Sequence, residues 1–77
     1  MPKAYILINC ETGYEKQVAT SIKSIDNIIM CNIVYGVYDL IVEIMFDTAN
    51  TLQDIIQKKI RKVSRIQSTI TLIPFPF

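Results

Sequence analysis

The stretch Ile33-Val34-Tyr35-Gly36-Val37-Tyr38-Asp39-Leu40-Ile41-Val42 constrains the chain more than any other. Two runs of β-branched and aromatic residues, which favour strands, flank a single glycine. Gly36 can take a positive φ without steric cost, and an aspartate three residues on can hydrogen-bond nearby backbone. The pattern predicts a tight hairpin with a carboxylate at its mouth. Asp39 is one of only seven acidic residues and interrupts an otherwise apolar segment. Gly36 and Asp39 either shape the turn alone or hold a ligand there, and both readings are open from composition.

The elements on either side follow from periodicity. Residues 4–10 read as a first strand, apolar on both faces. Thr12-Gly13-Tyr14-Glu15 matches a capping box, in which a threonine hydroxyl and a glutamate carboxylate take free amides at a helix start. Val18, Ala19, Ile22 and Ile25 then recur at helical spacing, with Lys16, Gln17, Thr20 and Lys23 opposite, until Asp26-Asn27 ends the helix. Residues 28–35 and 40–46 form the second and third strands. Asp47 is the favoured N-cap of a second helix, whose stripe is Leu52, Ile55, Ile56, Ile60 and Val63. Residues 66–73 make a last strand, which Pro74 stops.

The order β-α-β-β-α-β makes one α+β domain over residues 1–77. With right-handed crossovers it becomes a ferredoxin-like sandwich, four antiparallel strands in order 4-1-3-2 with both helices on one face. Alternation puts Ala4, Ile6, Ile8 and Cys10 on one side of the first strand and Tyr5, Leu7 and Asn9 on the other. In the third strand Leu40, Val42, Ile44 and Phe46 oppose Ile41, Glu43 and Met45. In the last, Ile66, Ser68, Ile70 and Leu72 oppose Gln67, Thr69, Thr71 and Ile73.

Two helices cover only one face of such a sheet. With 51% hydrophobic residues, fifteen of them isoleucine, a 77-residue chain carries more apolar surface than one small core hides. A homodimer paired through the open faces is therefore expected. The apolar tail Pro74-Phe75-Pro76-Phe77 is expected either to dock on a neighbouring chain or to fray.

Composition also excludes. A net charge of +1 gives no overall field for nucleic acid. Lys58, Lys59, Arg61, Lys62 and Arg65 cluster, but no aromatic residue is interleaved with them, so a solvated helix end explains the run. There is no histidine, and Cys10 and Cys31 form no C-x-x-C, so no metal and no cofactor is expected. In the expected strand order the third strand separates the two cysteines by about 9–10 Å, beyond disulfide reach. Nothing before the first strand resembles a signal peptide and no apolar run spans a membrane, so the expected location is cytoplasmic.

The element spacing, Tyr35-Gly36-Val37-Tyr38-Asp39-Leu40 and the late Thr69-Ile70-Thr71 together resemble the effector-binding domain of the Lrp/AsnC transcriptional regulators. That family carries Gly-x-aromatic-Asp in its hairpin and Thr-x-Thr in its final strand. The resemblance covers residues 4–73. It implies a RAM module whose dimers assemble into rings and bind amino acids at contacts between dimers. Carried over, Gly36, Tyr38 and Asp39 would meet the backbone of the amino acid, with Thr69 and Thr71 near the same pocket. A zwitterion needs a carboxylate for its ammonium group and free amides for its own carboxylate, and Asp39 and Gly36 offer one of each. Ordinary β-propensity explains the two threonines equally well.

The helix-turn-helix domain usual in the family is absent from this sequence. The expectation is a stand-alone form without direct DNA binding, which could act with full-length Lrp/AsnC regulators. Two other readings remain: a small enzyme of the dimeric α+β barrel type, and a purely structural assembly module. Fold analogy alone supports the enzyme, since no histidine and no carboxylate pair is available.

Overall fold

Residues 2–74 are described by a computed structural model of the chain. The elements are β1 (Lys3–Cys10), α1 (Glu15–Lys23), β2 (Ile28–Ile33), β3 (Leu40–Met45), α2 (Ala49–Ile55) and β4 (Ile66–Leu72). A π-helical turn, Ile56–Ile60, continues α2. The four strands form one antiparallel sheet in the order β2-β3-β1-β4, the ferredoxin-like arrangement expected from the sequence.

Period-two alternation decides which face the helices cover. Ala4, Ile6, Ile8 and Cys10 of β1 and Leu40, Val42 and Ile44 of β3 are buried. They pack with Val18, Ala19 and Ile22 of α1 and with Leu52, Ile55 and Ile60 of the second helix. Each fully buried isoleucine or leucine contributes about 1.5–3 kcal/mol relative to exposure. The opposite face keeps Tyr5, Leu7, Ile41 and Met45 half-buried, with Ile70 and Leu72 of β4 beside them and exposed. Polar groups interrupt it: the Tyr5 hydroxyl donates to Glu43 Oε2 at 2.9 Å, Lys3 Nζ lies 4.0 Å from that oxygen, and Asn9 Nδ2 donates to Ser68 Oγ at 3.5 Å.

Several local expectations are corrected. The register of β1 against β4 shifts between Asn9 and Cys10, so Ile66 pairs with Cys10 and packs on the core. Simple alternation had grouped Ile66 with Ser68, Ile70 and Leu72; the bulge separates it from them. Thr48, not Asp47, caps α2, because its hydroxyl lies within reach of the Thr51 amide, at 3.2 Å. The Thr12 capping box does not form either. Tyr14 occupies the cap position without a side-chain bond, and the Glu15 carboxylate reaches back only to the Gly13 amide, at 3.1 Å. α1 ends at Lys23, ahead of Asp26. Asn27 adopts φ 77° and its backbone and side chain tie the start of β2 to Met45, at 2.9 and 3.1 Å.

Cys10 and Cys31 are both buried free thiols, on β1 and β2, with β3 between them. Of the C-terminal tail, residues 75–77 lie outside the described residues, and with them the expectation of docking on a neighbour.

Candidate functional site

β2 ends at Ile33 and β3 begins at Leu40, leaving residues 34–39 as the connection. This is a six-residue loop and not the tight hairpin expected, because Val34 and Tyr35 leave the ladder. Its base is closed by the Val34 amide donating to the Asp39 carbonyl at 2.8 Å. Gly36 has φ 135°, and nothing lies within 4 Å of where a Cβ would stand. The glycine is needed for its backbone, not for room. Tyr35 and Val37 on either side stand free of the fold, at 104% and 84% exposure, while Tyr38 is half-buried.

Asp39 is half-buried and anchored to β1 twice. Its amide donates to the Ile8 carbonyl at 2.9 Å, and its Oδ2 accepts the Cys10 amide at 2.9 Å. The β1–β3 ladder ends at the pair Ile8 and Leu40, so Cys10 has no backbone acceptor on that side. The carboxylate supplies one. Its charge adds to the effect of burial, which is the larger, in raising the Cys10 thiol above its ordinary pKa; Glu15 and Glu11 add to the same effect. Among the described residues the Cys10 amide is the one hydrogen-bond donor to this carboxylate. Beside it opens a cleft of about 320 Å³, whose walls include Glu15, Lys16, Ile33 and Tyr35.

Thr69 and Thr71 lie elsewhere. On the edge strand β4 they pair with Ile8 and Ile6 and so share the helix-bearing face. There they line a second cleft, of about 490 Å³, between β4 and the α2–π segment. Leu52 and Ile56 form its apolar part and Gln53, Gln57 and Arg61 its polar part. Within one chain the five expected site residues therefore form two groups, Gly36, Tyr38 and Asp39 on one side of β1 and Thr69 and Thr71 on the other. Lys16, Gln53, Gln57 and Arg61 were not expected. The last three are spaced four apart, which places them on one helix face, and that spacing is the signal in the sequence.

Among the described residues no cluster of three metal-ligating side chains occurs, and no helix is long and apolar enough to cross a membrane.

The family model described as the Lrp/AsnC ligand binding domain matches residues 3–75. No curated protein gives a sequence match. The crystal structure of FFRP-DM1 is 37% identical and superimposes with a TM-score of 0.90, covering 97% of this chain and 100% of that one. The hypothetical protein PHS023 from Pyrococcus horikoshii is 36% identical, with a TM-score of 0.90 over 100% of this chain and 93% of that one. The feast or famine regulatory protein Rv3291c from M. tuberculosis, complexed with L-methionine, shares the fold at 18% identity and a TM-score of 0.82; the match covers 100% of this chain and 52% of that protein. With nearly its whole length matched by the family model, this chain belongs to the Lrp/AsnC ligand-binding domain family.

Proposed function

We propose that the chain is an amino-acid-sensing, self-assembling regulatory module. It pairs into homodimers through the open sheet face, and the dimers assemble further into a ring. The effector binds where the 34–39 loop of one dimer meets another dimer. Asp39 takes its ammonium group and the amides around Gly36 take its carboxylate, with Thr69 and Thr71 in the same composite pocket. Its output is regulatory, exerted on transcription or metabolism through partners such as full-length Lrp/AsnC regulators.

The observation that carries this reading is the state of Asp39. One carboxylate oxygen is fixed by the Cys10 amide, while the group lines an open cleft below a glycine loop. A carboxylate so oriented meets an incoming ammonium group without first having to be ordered. The L-methionine bound by Rv3291c, which shares the fold, supports an amino acid as the effector class.

The test is a panel of free amino acids in a thermal-shift assay, followed by calorimetry. A ligand that binds only the folded form raises its melting temperature. Selective stabilisation by a few amino acids is expected. No response to any of them would remove the sensing function and leave assembly alone.

A further inference from the structure

We propose that the cleft between the second helix and β4 recognises a side-chain carboxylate, so that the effector is an acidic amino acid, with Arg61 as its cation. The inference rests on the reading above, in which Thr69 and Thr71 belong to the effector site, and names the class of side chain that site selects.

Charge is the first argument. Lys3, Lys58 and Arg65 each have an acidic partner, Glu43, Asp54 and Glu11 respectively. Among the described residues Arg61, like Lys16, Lys23, Lys59 and Lys62, has none within ion-pair distance. It lines the 490 Å³ cleft and also an adjoining one of about 240 Å³ that follows β4 past Thr69. Among the described residues no other charged side chain borders either cleft. An unpaired guanidinium favours an anion, and its planar fork matches a carboxylate in two parallel hydrogen bonds.

The second argument is the surrounding chemistry. Gln53, Gln57, Thr69 and Thr71 add neutral donors along the same cleft. Leu52 and Ile56 give an apolar wall against which the methylenes of aspartate or glutamate can lie. A lysine side chain would meet the Arg61 cation there. A purely aliphatic one would leave the polar wall unused.

The third is the backbone. In a regular α-helix residues four apart drift by about 40° per step. The π-helical turn, closed by the Arg61 amide donating to the Ile56 carbonyl at 2.9 Å, rotates less per residue. It keeps Gln53, Gln57 and Arg61 along one cleft. Such turns are rare and concentrate at functional sites.

The experiment is isothermal calorimetry on the full chain and on Arg61→Gln, with L-glutamate, L-aspartate, L-glutamine, L-methionine and L-lysine. L-glutamate or L-aspartate is expected to bind most tightly. Arg61→Gln should weaken that binding about ten- to a hundredfold and weaken L-glutamine, which offers the guanidinium only a neutral oxygen, far less. Arg61→Lys, which keeps the charge and loses the fork, should recover part of the loss. Binding of L-methionine or L-lysine in preference to the acidic pair overturns the inference and leaves the sensing function standing. An equal loss for L-glutamate and L-glutamine in Arg61→Gln also overturns it. Failure of every amino acid to bind overturns the sensing function, and this inference with it.

Discussion

The Asp39 carboxylate accepts the Cys10 amide at 2.9 Å, and that bond ties the exposed 34–39 loop to the end of the central strand. The next amide along, Glu11, donates to the Arg65 carbonyl at 3.0 Å, just ahead of β4. Two consecutive amides thus join the loop that carries Gly36 and Asp39 to the strand that carries Thr69 and Thr71. The Glu11–Arg65 ion pair, at 3.0 Å, and Arg65 stacked 4.4 Å over the Tyr14 ring hold the same corner. Arg65 keeps a left-handed backbone there, φ 76°, a conformation that costs a non-glycine residue about 1–2 kcal/mol.

Shape and charge at Asp39 can be separated on this basis. Asp39→Ala removes the acceptor of a largely buried amide and should cost about 1–3 kcal/mol, a fall of several degrees in melting temperature. Asp39→Asn keeps an oxygen for the Cys10 amide and loses only the charge. It should melt close to the parent and assemble normally, yet bind its amino acid about ten- to a hundredfold more weakly by calorimetry. Parent-like affinity in Asp39→Asn would reduce the residue to a turn former.

The start of α2 offers a local comparison. Thr48→Ala should lose about 1 kcal/mol, because the Thr51 amide then has no cap, and the melting temperature should drop by about 4–8 °C. Asp47→Ala, one residue earlier, should change it little. The reverse ranking would mean that the helix begins one residue sooner.

What was legible in the sequence is what alternation and helical period encode over several residues. The strand order, the buried set from Ala4 to Ile44 and the apolar open face all come from repeated signals that no single residue can upset. The errors fall where one residue decides. Asp47 and Thr48 are both good caps, and only the path of the chain out of β3 selects between them. Ile66 crosses to the core because of one bulge, which alternation does not announce. The candidate site was half legible. Gly36 and Asp39 stood out, but the Cys10 amide that fixes Asp39 is a backbone group contributed by tertiary pairing. Arg61 belongs to a basic run that reads as solvated, and it is exposed; its place beside the cleft depends on a π-helical turn that no propensity signals.

The thiols and Tyr5 set a pH limit. Burial raises the pKa of Cys10 and Cys31 above the ordinary 9.0, with Lys23 opposing it at Cys31, and the hydrogen bond to Glu43 raises Tyr5 above 10.0. The unfolded chain therefore loses these protons first as pH rises. Stability from these groups is fully present below pH 9.0 and declines above it, first through the thiols and then through Tyr5. Denaturant titrations stepped upward from about pH 8 should show this decline. Cys10→Ala with Cys31→Ala should remove its lower part. Both native thiols should also resist a disulfide reagent and react rapidly once unfolded, with no Cys10–Cys31 bond formed.

The open sheet face carries the assembly prediction. Leu7 is half-buried on that face, paired across the strands with Ile41 and Ile70, and its side chain lies outside the core cluster. Leu7→Glu should therefore leave the secondary structure intact by circular dichroism. In a face-to-face dimer, however, it would place a carboxylate in an apolar contact and near its symmetry mate. Burying an unpaired charge costs far more than the about 1.5–3 kcal/mol gained by a buried leucine, so the variant should dissociate. Light scattering is expected to give at least twice 8.8 kDa for the parent and a single chain for the variant. Thr20→Glu, on the exposed side of α1, serves as the charge control and should leave the parent assembly unchanged. A parent that is monomeric at micromolar concentration would refute pairing through this face. A Leu7→Glu variant that keeps the parent mass would move the interface to another surface of the fold.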